Sequence, residues 1–293
     1  MSKLRYGILA SGMLGAKCME HVFKSHKVNF VLTDKGSLNI IKFCKANKIP
    51  FFSGNPRNGV ADEFLSKFRT DVLLSLNYLF MIDQPVLLHP KKYAINFHGS
   101  LLPKYRGRTP HVWAIINNEM ETGITAHFIS NECDAGDIIH QEKIKIKKTD
   151  TGAALLAIFN QRFPKIIAKV IKMIEKEKIV PVKQVEEQAT YFNKRTPADG
   201  LINWNWQKER IFNWVRALSK PYPGAFSFYE GKKVIIHKIA FSDHGFKQDD
   251  ENGKVLDVEK LIIKTSNGAI RLMLWESDGA VEFKPGQIFN DGY

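Results

Sequence analysis

The order of apolar and polar positions divides the chain into two parts. Up to about residue 180, short apolar runs typical of buried strands alternate with segments whose apolar residues recur every three or four positions, as on one face of a helix. The strand-like runs are LRYGILA, VNFVLTD, TDVLLSLNY and YAINFHG, followed by the pair ETGITAHFIS and DIIHQEKIKI and then by helices. This alternation predicts an α/β domain with a predominantly parallel, doubly wound sheet.

From about residue 200 the pattern changes to short strands separated by turns. In AFSFYEGKKVIIHKIAF, Gly231 lies between two strand-like runs, and the pattern returns in GKVLDVEKLIIKTSNGAIRLMLWESDG around Asn267 and Gly268. Glycine and Asn-Gly pairs form the turns of β-hairpins. We therefore expect a small β-barrel after the α/β domain.

Composition and cysteine usage narrow the class of protein. No apolar run reaches the roughly 20 residues of a membrane helix, and the N-terminal MSKLRYGILASG has too short an apolar core for a signal peptide. The three cysteines, Cys18, Cys44 and Cys133, are scattered, which argues against a disulfide framework or a zinc site. We expect a cytoplasmic protein that holds no metal.

The net charge of +13 is unevenly distributed. Residues 1–199 hold 30 Lys and Arg against 18 Asp and Glu, a net +12, whereas residues 200–293 hold 13 against 12, a net +1. A basic chain can bind nucleic acid, an anionic membrane or a phosphorylated small molecule. Much of the excess lies in IKIKKTD and in KIIAKVIKMIEKEK, an amphipathic helix whose lysines we interpret as a solvated face.

The strand YAINFHG carries two polar side chains. Alternation places Asn96 and His98 on one face of the strand, which ends at Gly99. In open parallel sheets, binding sites form beyond the carboxyl ends of the strands. An amide can donate to a developing oxyanion and an imidazole can move a proton. The alternative is a core Asn and His whose hydrogen bonds are satisfied by neighbours.

The segment SNECDAGDIIH offers a carboxylate for this histidine. A carboxylate beside an imidazole fixes the imidazole tautomer and raises its pKa. Asp134 lies in a glycine-containing turn before a strand, and Asp137 follows three residues later. Either aspartate could instead be only a turn former, and the residues alone do not choose between them.

Taken together, NFHGSLLPKYRG and the later CDAGDI closely resemble the folate-dependent formyltransferases. These include methionyl-tRNA formyltransferase, glycinamide ribonucleotide transformylase and the sugar N-formyltransferases. ATYFNKRTPADGLINWNW and VRALSKPYPGAFSF extend the resemblance, which is closest to the formyltransferase half of the bifunctional enzyme that modifies 4-amino-4-deoxyarabinose. It implies a Rossmann-like formyltransferase domain over residues 1–188, a linker over 189–205 and a C-terminal β-barrel of OB-like type over 206–293.

The resemblance also assigns catalytic residues position by position. Asn96 matches the family's asparagine, which donates to the oxygen of the tetrahedral intermediate. His98 matches the catalytic histidine, a proton donor or acceptor. Asp134 matches the aspartate that raises the imidazole pKa and orders a water, whereas Asp137 does not align with it. The co-substrate implied is N10-formyltetrahydrofolate.

The family binds the pterin part of this folate with backbone from two loops, and a sugar-modifying relative adds an arginine. The corresponding residues here are Phe80, Met81, Ile82, Arg108, Ser130, Asn131, Glu132, Cys133 and Asp134. Without the resemblance, the first three would be interpreted as core residues.

Two acceptor amines compete, that of a nucleotide-linked amino sugar and that of methionyl-tRNA. The segment from Asp34 to Pro50 is short, whereas the tRNA enzymes resemble this region but carry a longer basic insertion. RTPADGLINW resembles the sugar type, and the C-terminal domain lacks the basic charge usual in a nucleic-acid-binding barrel. We therefore expect a dTDP-, UDP- or GDP-linked amino-deoxy sugar, formylated for lipopolysaccharide or O-antigen assembly, with methionyl-tRNA as the alternative acceptor.

A sugar nucleotide needs cations for its diphosphate and aromatic rings for its base. The candidates are Lys104, Tyr105, Arg106, Arg195, Trp204 and Tyr222, although the tryptophans could equally belong to the core. We expect neither a membrane nor a nucleic acid as partner, and a homodimer stays open because the sequence does not fix the oligomeric state.

The N-terminal segment also has part of a dinucleotide-binding motif, which is weaker evidence for a different class of enzyme. ASGMLG keeps two glycines of a G-x-G-x-x-G loop, and Asp34 follows the second strand, where a dinucleotide enzyme binds ribose. The first glycine of the motif is missing. Because the formyltransferase motifs account for far more residues, an NAD-dependent oxidoreductase is the distant alternative.

Overall fold

The structure, a computed structural model, describes residues 4–292 and divides into two compact units. The first unit comprises the chain up to Gly107 together with Thr122–Ile144 and Ile158–Phe192. The second comprises Arg108–Glu121, Lys145–Ala157 and the chain from Asn193 onward. The boundaries predicted from the sequence stay a prediction.

Strands and helices alternate through the N-terminal two thirds of the chain. The strands are β1 (Arg5–Ala10), β2 (Lys27–Thr33), β3 (Phe51–Ser53), β4 (Val72–Leu76), β5 (Tyr93–His98), β6 (Arg106–Gly107), β7 (Glu121–Phe128), β8 (Ile138–Lys145) and β9 (Tyr191–Phe192). The helices are α1 (Gly12–Phe23), α2 (Leu38–Ala46), α3 (Asp62–Ser66), α4 (Gln84–Leu87), α5 (Pro110–Ile116) and α6 (Gly152–Glu175). The helices expected after β8 are one continuous helix, α6, which contains Pro164.

The main sheet of the first unit has seven strands in the order β3-β2-β1-β4-β5-β7-β8. The pairs from β3 to β5 are parallel, and β5 pairs with β7 in the antiparallel sense. The central strand β4, VLLSL, is buried throughout, as expected for a strand covered by helices on both faces. This Rossmann-like sheet confirms the predicted fold class. Its strand order reverses between β1 and β4, where the carboxyl ends of the strands open a crevice.

The remaining elements are one helix and the five strands of the second unit's antiparallel sheet. They are α7 (Lys208–Ala217), β10 (Ala225–Tyr229), β11 (Lys232–Ser242), β12 (Val255–Asp257), β13 (Ile262–Thr265) and β14 (Gly268–Ser277). The strand order is β10-β11-β14-β13-β12, and all neighbours are antiparallel. The hairpin turn at Glu230 and Gly231 has positive φ at both residues, 46° and 73°, as a type I′ turn requires.

The C-terminal segment joins the two edges of this sheet. Asn290 exchanges backbone hydrogen bonds with Phe228 of β10, while Phe289 donates to Gly253 and Gln287 accepts from Val255 at the other edge. The five strands are therefore connected into a barrel-like arrangement, which leaves fewer unpaired edge groups than an open sheet. The antiparallel C-terminal domain predicted from the turn spacing is confirmed.

Gly15 allows α1 to lie close to the sheet, so we expect Gly15→Ala to destabilise the protein. An added Cβ would lie 2.7 Å from the backbone oxygen of Leu76, which cannot move without shifting β4. Overpacking of this kind costs about 1–3 kcal/mol. Urea unfolding checks this, with Gly245→Ala as control because nothing lies within 4 Å of its added Cβ. Equal stability of the two variants would contradict the packing described.

Candidate active site

The carboxylate of Asp134 is the centre of a buried polar cluster in the first unit. Only 11% of its side chain is exposed. Its Oδ2 accepts a hydrogen bond from the backbone N–H of Gly107 at 2.9 Å and lies 3.4 Å from Nδ1 of His98. Its Oδ1 accepts from Nδ2 of Asn96 at 3.3 Å and lies 3.6 Å from Nε2 of His127. Of the two aspartates left open by the sequence, Asp134 is thus the one that faces His98.

The pairing of β5 with β7 brings the other members of the cluster together. Asn96 lies opposite His127 and His98 lies opposite Thr125 across the two strands. Alternation puts the Asn96 and His98 side chains on one face, and directly paired residues share a face as well. His127 therefore enters the cluster through strand register, and the sequence analysis missed it. The alternation of side chains within ETGITAHF puts His127 on one face of its strand. It does not show that this face carries Asn96 until the partner strand and the register are known.

Both ring nitrogens of His98 face hydrogen-bond acceptors. Its Nε2 lies 2.8 Å from the carbonyl oxygen of Tyr105, and its Nδ1 faces the carboxylate of Asp134. Both partners are acceptors, so each ring nitrogen carries a proton when both contacts are made. The 3.4 Å separation at Nδ1 is longer than a closed charge-assisted hydrogen bond of about 2.7–2.9 Å. A third atom can therefore share this N–H, and His98 can donate a proton there.

The hydrogen-bond partners of Asn96 determine the orientation of its side-chain amide. Nδ1 of His127 donates to the carbonyl of Phe128 at 2.8 Å, which leaves Nε2 as an acceptor in the neutral ring. Nδ2 of Asn96 lies 3.1 Å from this Nε2 and 3.3 Å from Oδ1 of Asp134. The amide group therefore points its two hydrogens into the cluster.

The surroundings of Asp134 keep its carboxyl group ionised. Burial on its own raises the pKa of Asp134, but its neighbours, first the charge of His98 and also the N–H of Gly107, outweigh burial. The pKa of Asp134 therefore lies well below its usual range. At neutral pH the cluster holds a fixed negative charge beside an imidazole and an amide.

Gln184 and Arg106 support the loop that carries Asp134. Nε2 of Gln184 donates to the carbonyl oxygens of Asp134 and Gly136 at 2.7 and 2.8 Å, and its Oε1 accepts from Arg106. Arg106 is fully buried and donates to both carboxylate oxygens of Glu186, at 2.9 and 2.8 Å. The interpretation of Arg106 as a diphosphate contact does not fit this placement, because its guanidinium is buried and used within the protein.

Tyr105 and Lys104 are neighbours in the loop beside the cluster, but Tyr105 is buried and Lys104 is exposed. The ring of Tyr105 stacks on Phe192 with centroids 4.8 Å apart, and its backbone carbonyl holds His98. This residue is buried, which leaves little of its ring for the predicted contact with a sugar nucleotide. Lys104 is exposed and stays a predicted substrate contact.

The two loops assigned to the folate lie together in the first unit. Nε2 of Gln84, just after the 80–82 loop, donates to Oδ1 of Asn131 in the 130–134 loop. Met81 is 51% exposed, whereas Phe80 and Ile82 are half-buried, and Ile82 packs on the core. In the other loop, Ser130 donates to the carbonyl of Glu132, and Asn131, Glu132 and Cys133 are exposed. An apolar surface thus lies next to a polar backbone, a combination that suits a flat heteroaromatic ring with polar edges.

The carboxylate of Asp34 is bound within the protein. It accepts from the hydroxyl of Ser37 at 2.5 Å and from the N–H of Gly36 at 2.9 Å, and Ser37 in turn accepts from the N–H of Gly12. Burial alone raises the pKa of Asp34, but hydrogen bonds from Ser37, Ser11 and Gly36 outweigh it and lower this pKa. Asp34 therefore connects the loop after β2 with the loop after β1. This structural role explains the presence of Asp34 without a bound ribose.

The remaining predicted substrate contacts belong to the second unit. Arg195 and Tyr222 both line a cavity of about 100 Å³, and the guanidinium of Arg195 stacks between Trp113 and Trp214 at 4.8 and 4.4 Å. The cavity lining comprises Thr109, Val112, Arg195, Thr196, Pro197, Gly200, Leu218, Tyr222, Pro223 and Gly224. Arg108 is half-buried in this unit, and its predicted folate contact stays a prediction.

Three rings of this unit, those of Trp204, His111 and Tyr222, have hydrogen bonds within the protein. Trp204 is buried and donates through Nε1 to Oγ of Ser227 at 2.9 Å, so the base-stacking role does not fit it. Burial lowers the pKa of His111 to about 4 and raises that of Tyr222 to about 12. His111 is therefore neutral at pH 7, and its Nε2 is hydrogen-bonded to the Tyr222 hydroxyl.

Within residues 4–292, no group of three or more His, Cys, Asp or Glu side chains is arranged to hold a metal ion. Over the same residues, no helix has both the length and the apolar character needed to cross a membrane.

The chain matches two models of known protein families. The model described as formyl transferase matches residues 17–171, and the model described as formyl transferase, C-terminal domain, matches residues 194–291. The chain is 37% identical over 250 residues to the bifunctional polymyxin resistance protein ArnA of Wigglesworthia glossinidia brevipalpis. That alignment covers 85% of this chain and 37% of the relative, so the chain spans little more than a third of the relative's length.

Two solved structures share the fold. An N-formyltransferase from Helicobacter canadensis, in complex with folinic acid and dTDP-3-aminofucose, has a TM-score of 0.71 at 22% identity, covering 92% of this chain and 98% of that one. WlaRD, a sugar 3N-formyl transferase in the presence of dTDP and 5-N-formyl-THF, has a TM-score of 0.69 at 21% identity, covering 96% and 100%.

The stability of the cluster should depend on pH through Asp134. Its pKa is lower in the folded protein than in the unfolded chain, so the carboxylate contributes stability that is present above the unfolded pKa of about 3.9. This contribution is lost as the pH falls from there towards the folded pKa. We expect wild-type protein to exceed Asp134→Asn in free energy of unfolding by a constant amount at pH 5–6 and by less below pH 4.

Urea unfolding at a series of pH values measures this difference. Asp137→Asn is the matched control, because its side chain lies outside the cluster three residues away, and it should follow wild type throughout. A difference between wild type and Asp134→Asn that is the same at pH 3 and pH 6 would contradict the account.

Proposed function

The chain belongs to the formyl transferase family, and on that premise we propose that it transfers the formyl group of N10-formyltetrahydrofolate to the amine of a nucleotide-linked amino sugar. The observation that carries the proposal is the cluster at the carboxyl end of β5. There an amide donor (Asn96) and an imidazole (His98) lie 3.3 and 3.4 Å from the ionised carboxylate of Asp134. Formyl transfer to an amine requires an oxyanion donor and a group that moves a proton.

Asn96 has the position and the hydrogens to stabilise negative charge. N10-formyltetrahydrofolate supplies the formyl carbon as the electrophile. Nδ2 of Asn96 donates to the formyl oxygen while the new bond from the amine forms, in place of one of its present contacts with His127 and Asp134. A single preorganised donor of this kind contributes about 10²–10³ in rate.

His98 handles the proton that the reaction displaces. The attacking amine loses a proton when its bond to carbon forms, and the folate nitrogen gains one when its bond to carbon breaks. Nδ1 of His98 gives its proton to the leaving nitrogen, and the same nitrogen then takes the proton that the amine loses, so that the ring returns to its starting state. Asp134 holds the ring with this nitrogen towards the cluster. Because only an uncharged amine attacks, we expect activity to rise on the alkaline side of neutrality.

The loops around Met81 and Asn131 fit the pterin of the folate. The half-exposed Met81 offers apolar contact, and the backbone of residues 130–134 offers donors and acceptors to the polar edge of the ring. The relatives from Helicobacter canadensis and WlaRD, which were solved with formylated folates, support the same co-substrate for this chain.

Several observations favour a sugar nucleotide over methionyl-tRNA as acceptor. Only α2, Leu38–Ala46, and short connections lie between β2 and β3, which leaves no long basic loop for an acceptor stem. In the cavity of the second unit, Arg195 offers a positive charge that can pair with a diphosphate. Tyr222, which lines the same cavity, offers an aromatic ring that can contact a base. The dTDP-3-aminofucose in the relative from Helicobacter canadensis supports the same class.

The proposal extends to the cellular role. A cytoplasmic enzyme of this kind would supply an N-formylamino sugar nucleotide for lipopolysaccharide or O-antigen assembly. The NAD-dependent alternative loses its main support, because the carboxylate of Asp34 is already bound by Ser37 and Gly36.

Removal of either cluster side chain should abolish most turnover while the fold is retained. We expect Asn96→Ala and His98→Ala each to lower kcat/KM at least about 100-fold, because each removes one of the two groups that the transition state needs. His244→Ala, on an exposed loop of the second unit, is the matched control and should have wild-type rates. Near-UV circular dichroism checks folding, and wild-type rates from both cluster variants would contradict the mechanism.

A panel of acceptors tests the substrate directly. We expect N10-formyltetrahydrofolate to be consumed with one of the dTDP-, UDP- or GDP-linked 3- or 4-amino sugars and not with methionyl-tRNA. The readout is the formylated product by mass spectrometry. Formylation of methionyl-tRNA alone would contradict the sugar assignment and leave the family intact, whereas formylation of none by folded enzyme would contradict the proposed reaction.

A further inference from the structure

Four lysines form a straight row along one side of α6. Lys165, Lys169, Lys172 and Lys176 are spaced i, i+4, i+7 and i+11, and all four are exposed. Residues at this spacing lie above one another on a helix. The N–H of Lys176 still bonds to the carbonyl of Lys172, so the row continues one residue beyond the end of α6. It extends about 16 Å at 1.5 Å per residue.

The opposite side of the helix anchors the row in a fixed position. The apolar residues of this side are each at most 2% exposed: Ile166, Ile167, Val170, Ile171 and Ile174. The helix therefore cannot rotate without exposing its whole apolar side. The lysines are held at the surface as one rigid set of positive charges.

The four lysines have no direct ion-pair partner in the part of the chain that the structure describes. Across residues 4–292, none of the four lysines makes an ion pair or a side-chain hydrogen bond, and the two nearest acidic residues in the sequence are used elsewhere. Glu175 lies 3.4 Å from His26, and Glu177 lies 3.3 Å from Lys92. Like charges at i,i+4 destabilise a helix. An external anion would remove this repulsion.

Two exposed valines, Val180 and Val182, follow the row in the sequence. Val182 pairs with Ile138 at the start of β8, and alternation puts His140 on the face that Ile138 and Val182 share. Burial lowers the pKa of His140, and the charge of Lys169 acts in the same direction, as expected where the row approaches this face. Val180 is 77% exposed and Val182 is 61% exposed.

We propose that the lysine row and the two valines form a surface that binds anionic lipid bilayers. A straight row of flexible ammonium groups matches the diffuse negative charge of a bilayer, and exposed apolar side chains at its end can enter the interface. RNA is the less suitable polyanion, since the segment from Lys165 to Lys176 contains neither arginine nor an aromatic residue for bases to stack on. The proposal differs from two expectations of the sequence analysis. One was that these lysines form only a solvated face, and the other was that the protein has no membrane partner.

Co-sedimentation with vesicles tests the surface, with the full chain at low salt. We expect binding to vesicles that contain phosphatidylglycerol, not to phosphatidylcholine vesicles, and release at high salt because surface charge is screened. Each lysine near an anionic surface contributes about fivefold in partitioning. The variant with Lys165, Lys169, Lys172 and Lys176 all changed to Gln should therefore bind at least about 100-fold more weakly, with unchanged unfolding.

The matched control changes four other exposed lysines to Gln, so the loss of net charge is the same. These are Lys45, Lys238, Lys247 and Lys260, and this variant should bind nearly as wild type does. The variant with Val180→Ser and Val182→Ser should bind a few-fold more weakly and keep its salt dependence.

Three results would overturn the proposal. The first is equal loss of binding in the two lysine variants, which would mean that net charge alone attracts the protein to the vesicles. The second is wild-type binding by the row variant. The third is binding of a generic RNA, through the same lysines, that is tighter than binding to the anionic vesicles.

Discussion

The burial of the Asp134 carboxylate is the constraint on which the candidate site depends. A buried carboxylate must be paired or hydrogen-bonded, and this one is held by the N–H of Gly107, the amide of Asn96 and the ring of His98. These partners come from β5 and from the short strand β6, and Asp134 itself lies in the loop after β7. One charge therefore fixes three separate segments of chain relative to one another.

The same constraint explains residues that take no part in chemistry. Gln184 holds the backbone of the Asp134 loop and is itself held by Arg106, whose charge is balanced by Glu186. Arg106 is therefore a cation with a structural role, although the sequence analysis interpreted it as a substrate contact. On this account the loop 184–192 keeps the candidate site in shape.

The sequence predicted what depends on local pattern. The alternation of apolar runs and helical segments was sufficient for the parallel sheet, and turn residues such as Gly231 predicted the antiparallel C-terminal domain. The alternation of YAINFHG was enough to put Asn96 and His98 on one face. These features depend on the period of side chains along a single strand or helix.

What the sequence missed depends on register and burial. His127 joins the cluster only because it pairs with Asn96 across β5 and β7, strands that are separated by more than twenty residues in the chain. Arg106 and Trp204 have suitable chemistry for a nucleotide, but composition does not reveal that both side chains are buried. The lysines of α6 were interpreted as ordinary solvated charge, because their lack of acidic partners is a property of the folded chain.

The measurement that tests the central claim most directly is the position of a formyl group in a crystal of the complex. A stable analogue such as 10-formyl-5,8-dideazafolate carries the formyl group on the nitrogen from which transfer occurs. The account predicts its formyl oxygen at about 2.7–3.1 Å from Nδ2 of Asn96, with the formyl carbon open to the crevice beside Nδ1 of His98. A formyl group bound away from Asn96, His98 and Asp134, in an enzyme that still turns over, would contradict the assignment of this cluster as the site of transfer.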